Sequence, residues 1–165
     1  MYTYQLNATA NLHNAGMTFQ RSTKMESLDM PGHLIRRMHQ LSTQVFAQLT
    51  QAAGHDLTSV QFAALDAIHA NPGTDQARVA EMIAYDRATI GGVIDRLEHK
   101  GWVRRVVSER DRRARELSLT EEGTRIYTAL LPIVRQVQDD ILQPLGQAER
   151  ERFFRLARKV LDRQA

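Results

Sequence analysis

The chain has 165 residues, of which 42% are hydrophobic and 25% are charged, and these shares are typical of a folded globular protein. It contains no cysteine, which excludes disulfides, cysteine metal sites and thiol nucleophiles. Residues 1–28 lack the apolar core of a signal peptide, and no apolar run reaches the roughly 18 residues that a membrane-spanning helix needs. We therefore expect a cytoplasmic protein that does not interact with a membrane.

The positive charge is concentrated in one part of the chain. The formal net charge is +3, and residues 75–115 contain ten Arg or Lys against seven Asp or Glu, which equals the whole excess. Six of these ten are arginines between positions 104 and 115. Because arginine makes planar, bidentate contacts with phosphates and bases, this region is the candidate for nucleic-acid binding.

A polar extension, residues 1–30, precedes a long amphipathic helix at 31–56. The extension has no sustained period, so it is either a flexible tail or an arm that packs on a partner subunit. In the helix, apolar residues recur three or four positions apart and form one stripe. These residues are Leu34, Met38, Leu41, Val45 and Leu49.

The next segment opens with a clear helix start. Thr58 and Gln61 form a capping box, since each side chain can bond the backbone N–H of the other residue. The turn Asn71-Pro72-Gly73 ends this helix. Thr74 is then expected to cap a short helix, with Asp75 in its first turn.

A further helix is expected over Asp86–Lys100, followed by Gly101 as its C-terminal glycine. The apolar period then changes from 3.6 to 2, so residues 102–107 and 116–119 are predicted strands. The connection between them, residues 108–115, is polar and rich in arginine. Helices joined by a short turn and followed by a hairpin with a basic tip indicate a winged helix-turn-helix.

Thr120 opens the last region, residues 120–165, which contains a second long stripe and a final helix from about 148 to 161. Pro132 lies inside the stripe and is expected to kink its helix. The stripe consists of Ile126, Leu130, Val134, Val137 and Ile141. The two stripes lie near the chain ends, with little of the middle to pack against, so we predict that they bury against a partner subunit.

The predicted fold is mainly α. A winged helix-turn-helix DNA-binding domain with a two-stranded β-wing occupies residues 57–119. Dimerisation helices at 31–56 and 120–165 flank it.

Two segments resemble the MarR family of transcription regulators. One is similar to the family's recognition helix and the strand after it: Asp86-Arg87-Ala88-Thr89 and Asp95-Arg96-Leu97-Glu98-His99-Lys100-Gly101-Trp102-Val103. The other is similar to its wing and the following helix: Asp111-Arg112-Arg113 and Leu117-Ser118-Leu119-Thr120-Glu121-Glu122-Gly123. The resemblance covers about residues 31–162. It implies a two-fold dimer built from terminal helices, binding to pseudo-palindromic promoter DNA, and release by a small phenolic or carboxylated ligand.

We expect Arg87, Thr89 and Arg96 to face the major groove or its phosphates. The chain departs from the family pattern at Ala88, Gly91 and Gly92, where the family usually has hydroxyl or larger polar residues. Each helix glycine costs roughly 1 kcal/mol relative to alanine. Either crowding by a neighbouring element or a close approach of the backbone to DNA would explain these glycines.

The wing is expected to reach the adjacent minor groove with Arg110, Arg112 and Arg113. Asp111 is expected to pair with Arg113 and hold its guanidinium for a narrow groove, where arginine is favoured electrostatically. The alternative is that the arginine run is a solvated hairpin without a ligand.

The candidate effector site lies where the first long helix, the helix after Thr58 and the winged domain meet. Its polar anchors would come from His33, Arg36, Arg37 or His39, and its apolar walls from Phe46, Phe62, Leu65 and Trp102. Since an arginine fork matches a carboxylate, this set favours an aromatic or heteroaromatic acid or a phenolic compound. The four polar residues could equally be ordinary surface or interface residues.

We predict no metal site and no cofactor, because no tight histidine pair occurs at helical spacing. The sequence also lacks a glycine-rich phosphate loop, a nucleophile motif and a paired carboxylate set, so we do not expect an enzyme. The favoured function is a ligand-responsive repressor that acts as a homodimer on double-stranded DNA. The alternatives are an architectural or ligand-independent DNA-binding protein and, less favoured, a metal-responsive regulator.

Overall fold

The computed structural model describes residues 25–107 and 115–162, which form six helices, one 3₁₀ turn and a two-stranded sheet. After the turn at Glu26–Asp29, the helices are α1 (Pro31–Ala52), α2 (Ser59–Ala70), α3 (Gln76–Met82), α4 (Ile90–His99), α5 (Glu121–Ile141) and α6 (Gln147–Leu161). The strands are β1 (Val103–Val107) and β2 (Arg115–Leu119). This order confirms the predicted winged helix-turn-helix between long terminal helices. None of the helices in the described ranges combines the length and the apolar character needed to cross a membrane.

The start of α2 is as the sequence predicts. The Thr58 hydroxyl accepts from the Gln61 N–H at 3.2 Å, and the Gln61 side-chain oxygen accepts from the Thr58 N–H at 2.9 Å. This reciprocal capping box satisfies two backbone donors. Helix α2 therefore has a fixed starting point beside the buried Leu57.

Helix α3 is capped by Asp75, whereas the sequence favoured Thr74. Asp75 Oδ1 accepts from the Arg78 N–H at 2.9 Å. Thr74 instead forms an isolated antiparallel bridge with Leu117, whose N–H donates to the Thr74 carbonyl at 2.7 Å. Because the Thr74 carbonyl accepts from Leu117, the first helical bond goes from the Val79 N–H to the Asp75 carbonyl at 3.0 Å, and the cap moves one residue along the chain.

The core lies between α2, α4, the base of the wing and α5. Fully buried residues come from each of these elements: Leu65, Ile68, Ile90, Ile94, Leu97, Leu117 and Leu130. In antiparallel register, Val103 faces Leu119 and Val107 faces Arg115. The buried face of α4, formed by Ile90, Ile94 and Leu97, packs on α2 and the hairpin.

The two apolar stripes differ in how much the protomer covers them. In α5, Leu130 and Val137 are buried at 0% and 1% exposure, because α5 packs along α1. The α5 stripe, expected from the sequence to bury against a partner subunit, therefore packs in part on α1 of its own protomer. What stays exposed is the first half of α1 and the second half of α6, including Leu34, Ile35, Met38, Leu41, Phe154, Leu156, Val160 and Leu161.

An aromatic cluster joins three helices. The ring of Phe46 on α1 lies 6.3 Å from Phe62 on α2, and Phe62 stacks at 5.8 Å on Tyr127 of α5. His69, at the other end of α2, lies 4.4 Å from the Tyr127 ring. The Tyr127 hydroxyl donates to Asp66 Oδ1 at 2.7 Å. This hydrogen bond, then burial and the Asp66 charge, raise the pKa of Tyr127 above its ordinary value of 10.0, while Arg135 opposes the shift.

The first turn of α5 rests directly on the backbone of Trp102. A Cβ added to Gly123 would lie 2.7 Å from the Trp102 carbonyl carbon and closer still to its oxygen. Thr120 fixes this approach, because its hydroxyl donates to the Gly101 carbonyl at 2.7 Å and accepts from the Gly123 N–H at 2.9 Å. Only glycine fits at position 123 without moving the helix or the strand.

We expect Gly123→Ala to destabilise the protein by about 3 kcal/mol, the upper part of the usual range for overpacking a filled site. Gly32→Ala is the matched control, because it also lies in the first turn of a long helix and a Cβ there meets nothing within 4 Å. Urea unfolding of both variants measures the difference. Equal losses of stability in the two variants would show that the packing of α5 on Trp102 does not require glycine.

We expect Tyr127→Phe to lower the free energy of unfolding by about 1 kcal/mol near neutral pH, since it removes one hydrogen bond. The folded state raises the Tyr127 pKa, so this stabilisation is complete below the unfolded pKa of 10.0 and is lost as the pH rises through the higher folded value. Wild type and variant should therefore converge in strongly alkaline solution. Tyr85→Phe, which removes a hydroxyl with no hydrogen-bond partner among the described residues, should show neither effect.

Candidate DNA interface and effector site

Helix α4 presents a face that nothing in the described protomer covers. At 100° per residue, the buried Ile90 and Ile94 lie opposite a line that contains the exposed Gly92 and His99. Arg96 flanks this line on one side and is also exposed. An exposed helix face beside a β-hairpin is the arrangement that a winged helix-turn-helix inserts into a major groove.

The segment before α4 forms a turn and not the first turn of the helix. Helix α4 was predicted to begin at Asp86 but begins at Ile90. Asp86 caps this turn as an N-cap residue does, because its Oδ1 accepts from the N–H groups of Ala88 and Thr89 at 3.0 and 3.1 Å and its carbonyl accepts from the Ile90 N–H at 3.1 Å. This turn holds Arg87 and Thr89 exposed at the N-terminal end of α4.

The two glycines of α4 have different surroundings. A Cβ on Gly91 would lie 3.8 Å from the Gln76 side chain, in ordinary van der Waals contact. A Cβ on Gly92 would meet nothing within 4 Å in the part of the chain that the structure describes. Crowding by these residues therefore explains neither glycine, and Gly92 lies on the outward line of the helix.

The wing residues predicted to bind DNA, Arg110, Arg112 and Arg113, and the supporting Asp111 all lie outside the described residues. The two arginines earlier in the hairpin are described and are already engaged. Arg104 Nε donates to Ser118 Oγ at 2.8 Å, within the sheet. Arg105 pairs with Asp95 at 2.6 Å and Glu98 at 3.5 Å, both on α4. In the sequence, nothing distinguishes these two arginines from the rest of the basic run.

Two of the four polar effector candidates lie together on α1. Arg36 Nη2 lies 3.3 Å from His33 Nδ1, and Arg36 Nη1 donates to the Gln40 side-chain oxygen at 3.5 Å. The Arg36 side chain is therefore oriented by its own helix. Arg37 and His39 are also exposed on α1.

His39 belongs to a separate cleft of about 290 Å³ between α1, the end of α5 and α6. The lining of this cleft is mostly apolar: Met38, His39, Ser42, Gln138, Ile141, Leu142, Phe153 and Phe154. Neither His33 nor Arg36 lines it. The cleft was not predicted from the sequence, because the apolar residues of the final helix were assigned only to a subunit interface.

The predicted apolar walls have other neighbours. Phe46 and Phe62 pack against each other and Tyr127 in the aromatic cluster. Trp102 is half-buried at the base of the wing, with Lys100 Nζ 4.8 Å from the centre of its ring. The structure thus brings His33 and Arg36 together but places Phe62 and Trp102 in different surroundings.

Metal binding has no support in the described ranges, where no group of three or more His, Asp or Glu side chains is arranged to hold an ion. Tyr127 is the one described group with a resolved pKa shift, and it lies in the aromatic cluster rather than on the exposed face of α4. The exposed face of α4, with Arg87 and Thr89 at its N-terminal end and Arg96 on its flank, is the candidate nucleic-acid surface.

Comparison with known proteins agrees with this geometry. A family model described as MarR family matches residues 55–114. The HTH-type transcriptional repressor NicR of Pseudomonas putida is 33% identical over 141 residues, which cover 86% of this chain and 88% of NicR.

Two solved structures extend the likeness to nearly the whole fold. The PcaV transcriptional regulator of Streptomyces coelicolor, solved in complex with its natural ligand, has a TM-score of 0.76 and 34% identity, covering 86% of this chain and 98% of PcaV. Bordetella bronchiseptica BpsR, whose DNA binding is regulated by 6-hydroxynicotinic acid, has a TM-score of 0.76 and 30% identity, covering 84% and 96%. The sequence identity, the extent of the matches and the shared winged helix together place this chain in the MarR family of transcription regulators.

Proposed function

We propose that the protein is a repressor that binds a pseudo-palindromic operator as a homodimer and is released by a small aromatic or heteroaromatic acid. The observation that supports DNA binding most is the uncovered face of α4. Arg87 and Thr89 stand at its N-terminal end, Arg96 on its flank and the hairpin beside it. In this proposal α4 enters the major groove, and the wing contacts the neighbouring minor groove.

Homodimer formation is supported by the apolar surface at the two ends of the chain. Leu34, Met38 and Leu41 on α1 are each exposed by more than 40%, and Val160 and Leu161 on α6 by 64% and 70%. Soluble monomers seldom leave patches of this kind open to water. The segments 31–56 and 120–165 are therefore proposed as dimerisation helices around the DNA-binding segment 57–119, and residues 1–30 as a tail or an arm on the partner.

Two-fold symmetry connects the dimer to the operator. Two copies related by such an axis present two α4 helices in opposite directions, which matches a pseudo-palindrome with half-sites about 10 bp apart. If the terminal helices of the two copies bury against each other, the dimer itself fixes the distance between the two α4 helices. An effector that changes the angle between the helices changes the fit to DNA.

The effector class is supported by Arg36 and His33 and by the relatives. Helix α1 holds the Arg36 guanidinium beside the His33 imidazole, so the guanidinium is already oriented to bind a carboxylate. BpsR is regulated by a heteroaromatic acid. A ligand shifts the equilibrium only by its different affinity for the two states, so an inducer must bind the DNA-free dimer more tightly than the complex.

The test begins with selection of bound duplexes from a random library, followed by fluorescence anisotropy with and without 6-hydroxynicotinic acid or benzoic acid. We expect a two-fold symmetric consensus and weaker binding with an acid, but no effect of phenol at the same concentration if the carboxylate is required. Arg36→Ala should weaken acid binding roughly 10- to 100-fold, because a hydrogen bond to a charged group contributes about 1.5–3 kcal/mol.

His39→Ala is the matched variant for this test, since His39 lies in the other cleft. Loss of acid binding in His39→Ala alone would move the effector site to that cleft. Operator binding that no acid alters would leave a ligand-independent DNA-binding protein. A chain that selects no duplex at all would overturn the proposal.

We expect Gly92→Ala to separate folding from DNA binding. The alanine meets open space, so it should raise the free energy of unfolding by up to about 1 kcal/mol through helix propensity. The same methyl group should weaken operator binding if the α4 backbone approaches the bases. Anisotropy and urea unfolding on one preparation measure both effects. Unchanged operator affinity in Gly92→Ala would exclude a close approach at this position.

A further inference from the structure

The wing is attached to the helix-turn-helix along both of its edges, and the two attachments differ in kind. On the β2 edge, Thr74 and Leu117 pair through the backbone, and the Gly73 N–H donates to the Leu117 carbonyl at 2.9 Å. On the β1 edge, the polar link to α4 is made by the side chain of Arg105. The orientation of the hairpin against α4 therefore depends on that side chain.

Arg105 bridges two carboxylates one helical turn apart. Its Nη2 lies 2.6 Å from Asp95 Oδ1, and its Nε lies 3.5 Å from Glu98 Oε2. Residues three apart on a helix share a face, so one guanidinium reaches both. The Arg105 side chain is only 25% exposed, and its Nε is shielded from solvent. Its charge is directed into the protein and away from a ligand on the outer surface.

The two carboxylates lie on the flank of α4 opposite Arg96. At 100° per residue, Asp95 and Glu98 fall between the buried face and the outward line, on the side of the hairpin. Their side chains are 63% and 42% exposed. Negative charge at that place repels DNA phosphates unless a cation balances it.

We propose, on the basis of the DNA-binding function inferred above, that Arg105 is a positioning residue of the DNA interface and does not itself touch DNA. Its ion pairs with Asp95 and Glu98 hold strand β1 at a fixed angle to α4, so that α4 and the wing engage the operator together. The neighbouring Arg104 has no such role, because its Nε bonds Ser118 within the sheet.

The experiment compares Arg105→Ala, Arg105→Lys and Arg104→Ala on the selected operator over a series of salt concentrations. Arg105→Ala should weaken binding roughly 2- to 30-fold, the range for a residue that acts on binding without touching the ligand, while the salt slope stays within experimental error. If Arg105 instead neutralised a DNA phosphate, its removal would lower the slope by about 1. Arg105→Lys should recover part of the affinity, since an ammonium can pair with one carboxylate but lacks the fork.

A second readout does not require DNA. Hydrogen exchange at residues 103–107 and 90–99 should become faster in Arg105→Ala than in wild type and stay unchanged in Arg104→Ala, which removes the same charge from the same strand. Faster exchange limited to these segments, with the rest of the protein protected, also shows that the variant is folded.

Three outcomes would overturn the positioning role. The first is an operator affinity that is unchanged in Arg105→Ala, and the second is a salt slope that falls by about 1 for each Arg105 removed. The third is hydrogen exchange in Arg105→Ala that is as slow as in wild type. A wild-type protein that binds no duplex would instead overturn the proposed function itself, and the exchange data would still decide whether Arg105 holds the wing to α4.

Discussion

The architecture depends on the packing of the first turn of α5 against the backbone of Trp102. Gly123 allows the helix to lie on the strand entry, and Thr120 bonds both sides of the junction. This junction fixes where the long C-terminal helix leaves the hairpin. The direction of α5, and through α5 the position of α1 that packs along it, follows from one residue without a side chain.

Around that junction the protein combines two kinds of connection. Apolar packing joins α2, α4, the wing base and α5 without directional preference, since burial of apolar area sets its strength. The polar links are few and directional: Tyr127 with Asp66, Asp86 with the turn before α4, and Arg105 with Asp95 and Glu98. Packing holds the elements together, and these links fix their angles.

The sequence predicted those features that depend on neighbours along the chain. The capping box of Thr58 and Gln61, the apolar face of α4 and the hairpin are all local patterns, and the structure contains each of them. Features set by distant partners were not predictable in this way. The cap of α3 moved from Thr74 to Asp75 because Leu117, more than 40 residues away, pairs with Thr74.

The candidate site shows the same division. Exposure of Arg96 follows from helical periodicity, so the sequence could place it on the outer surface, whereas Arg87 and Thr89 are exposed in the turn before α4. The pairing of Arg105 with α4 and the packing of Phe46 on Phe62 depend on how elements meet. A signal for Arg105 was present, since two acids three apart on a helix precede an arginine-rich strand. The sequence alone did not show which arginine turns towards them.

The aromatic cluster has a consequence for how a signal could travel through the protomer. Two of its rings, Phe62 and His69, lie near opposite ends of α2, and they contact Phe46 of α1 and Tyr127 of α5. Close-packed rings do not deform continuously, so α2 and the DNA-binding domain follow the long helices as one body. In the proposed dimer, a small rotation between two copies at their terminal helices would become a larger displacement at each α4.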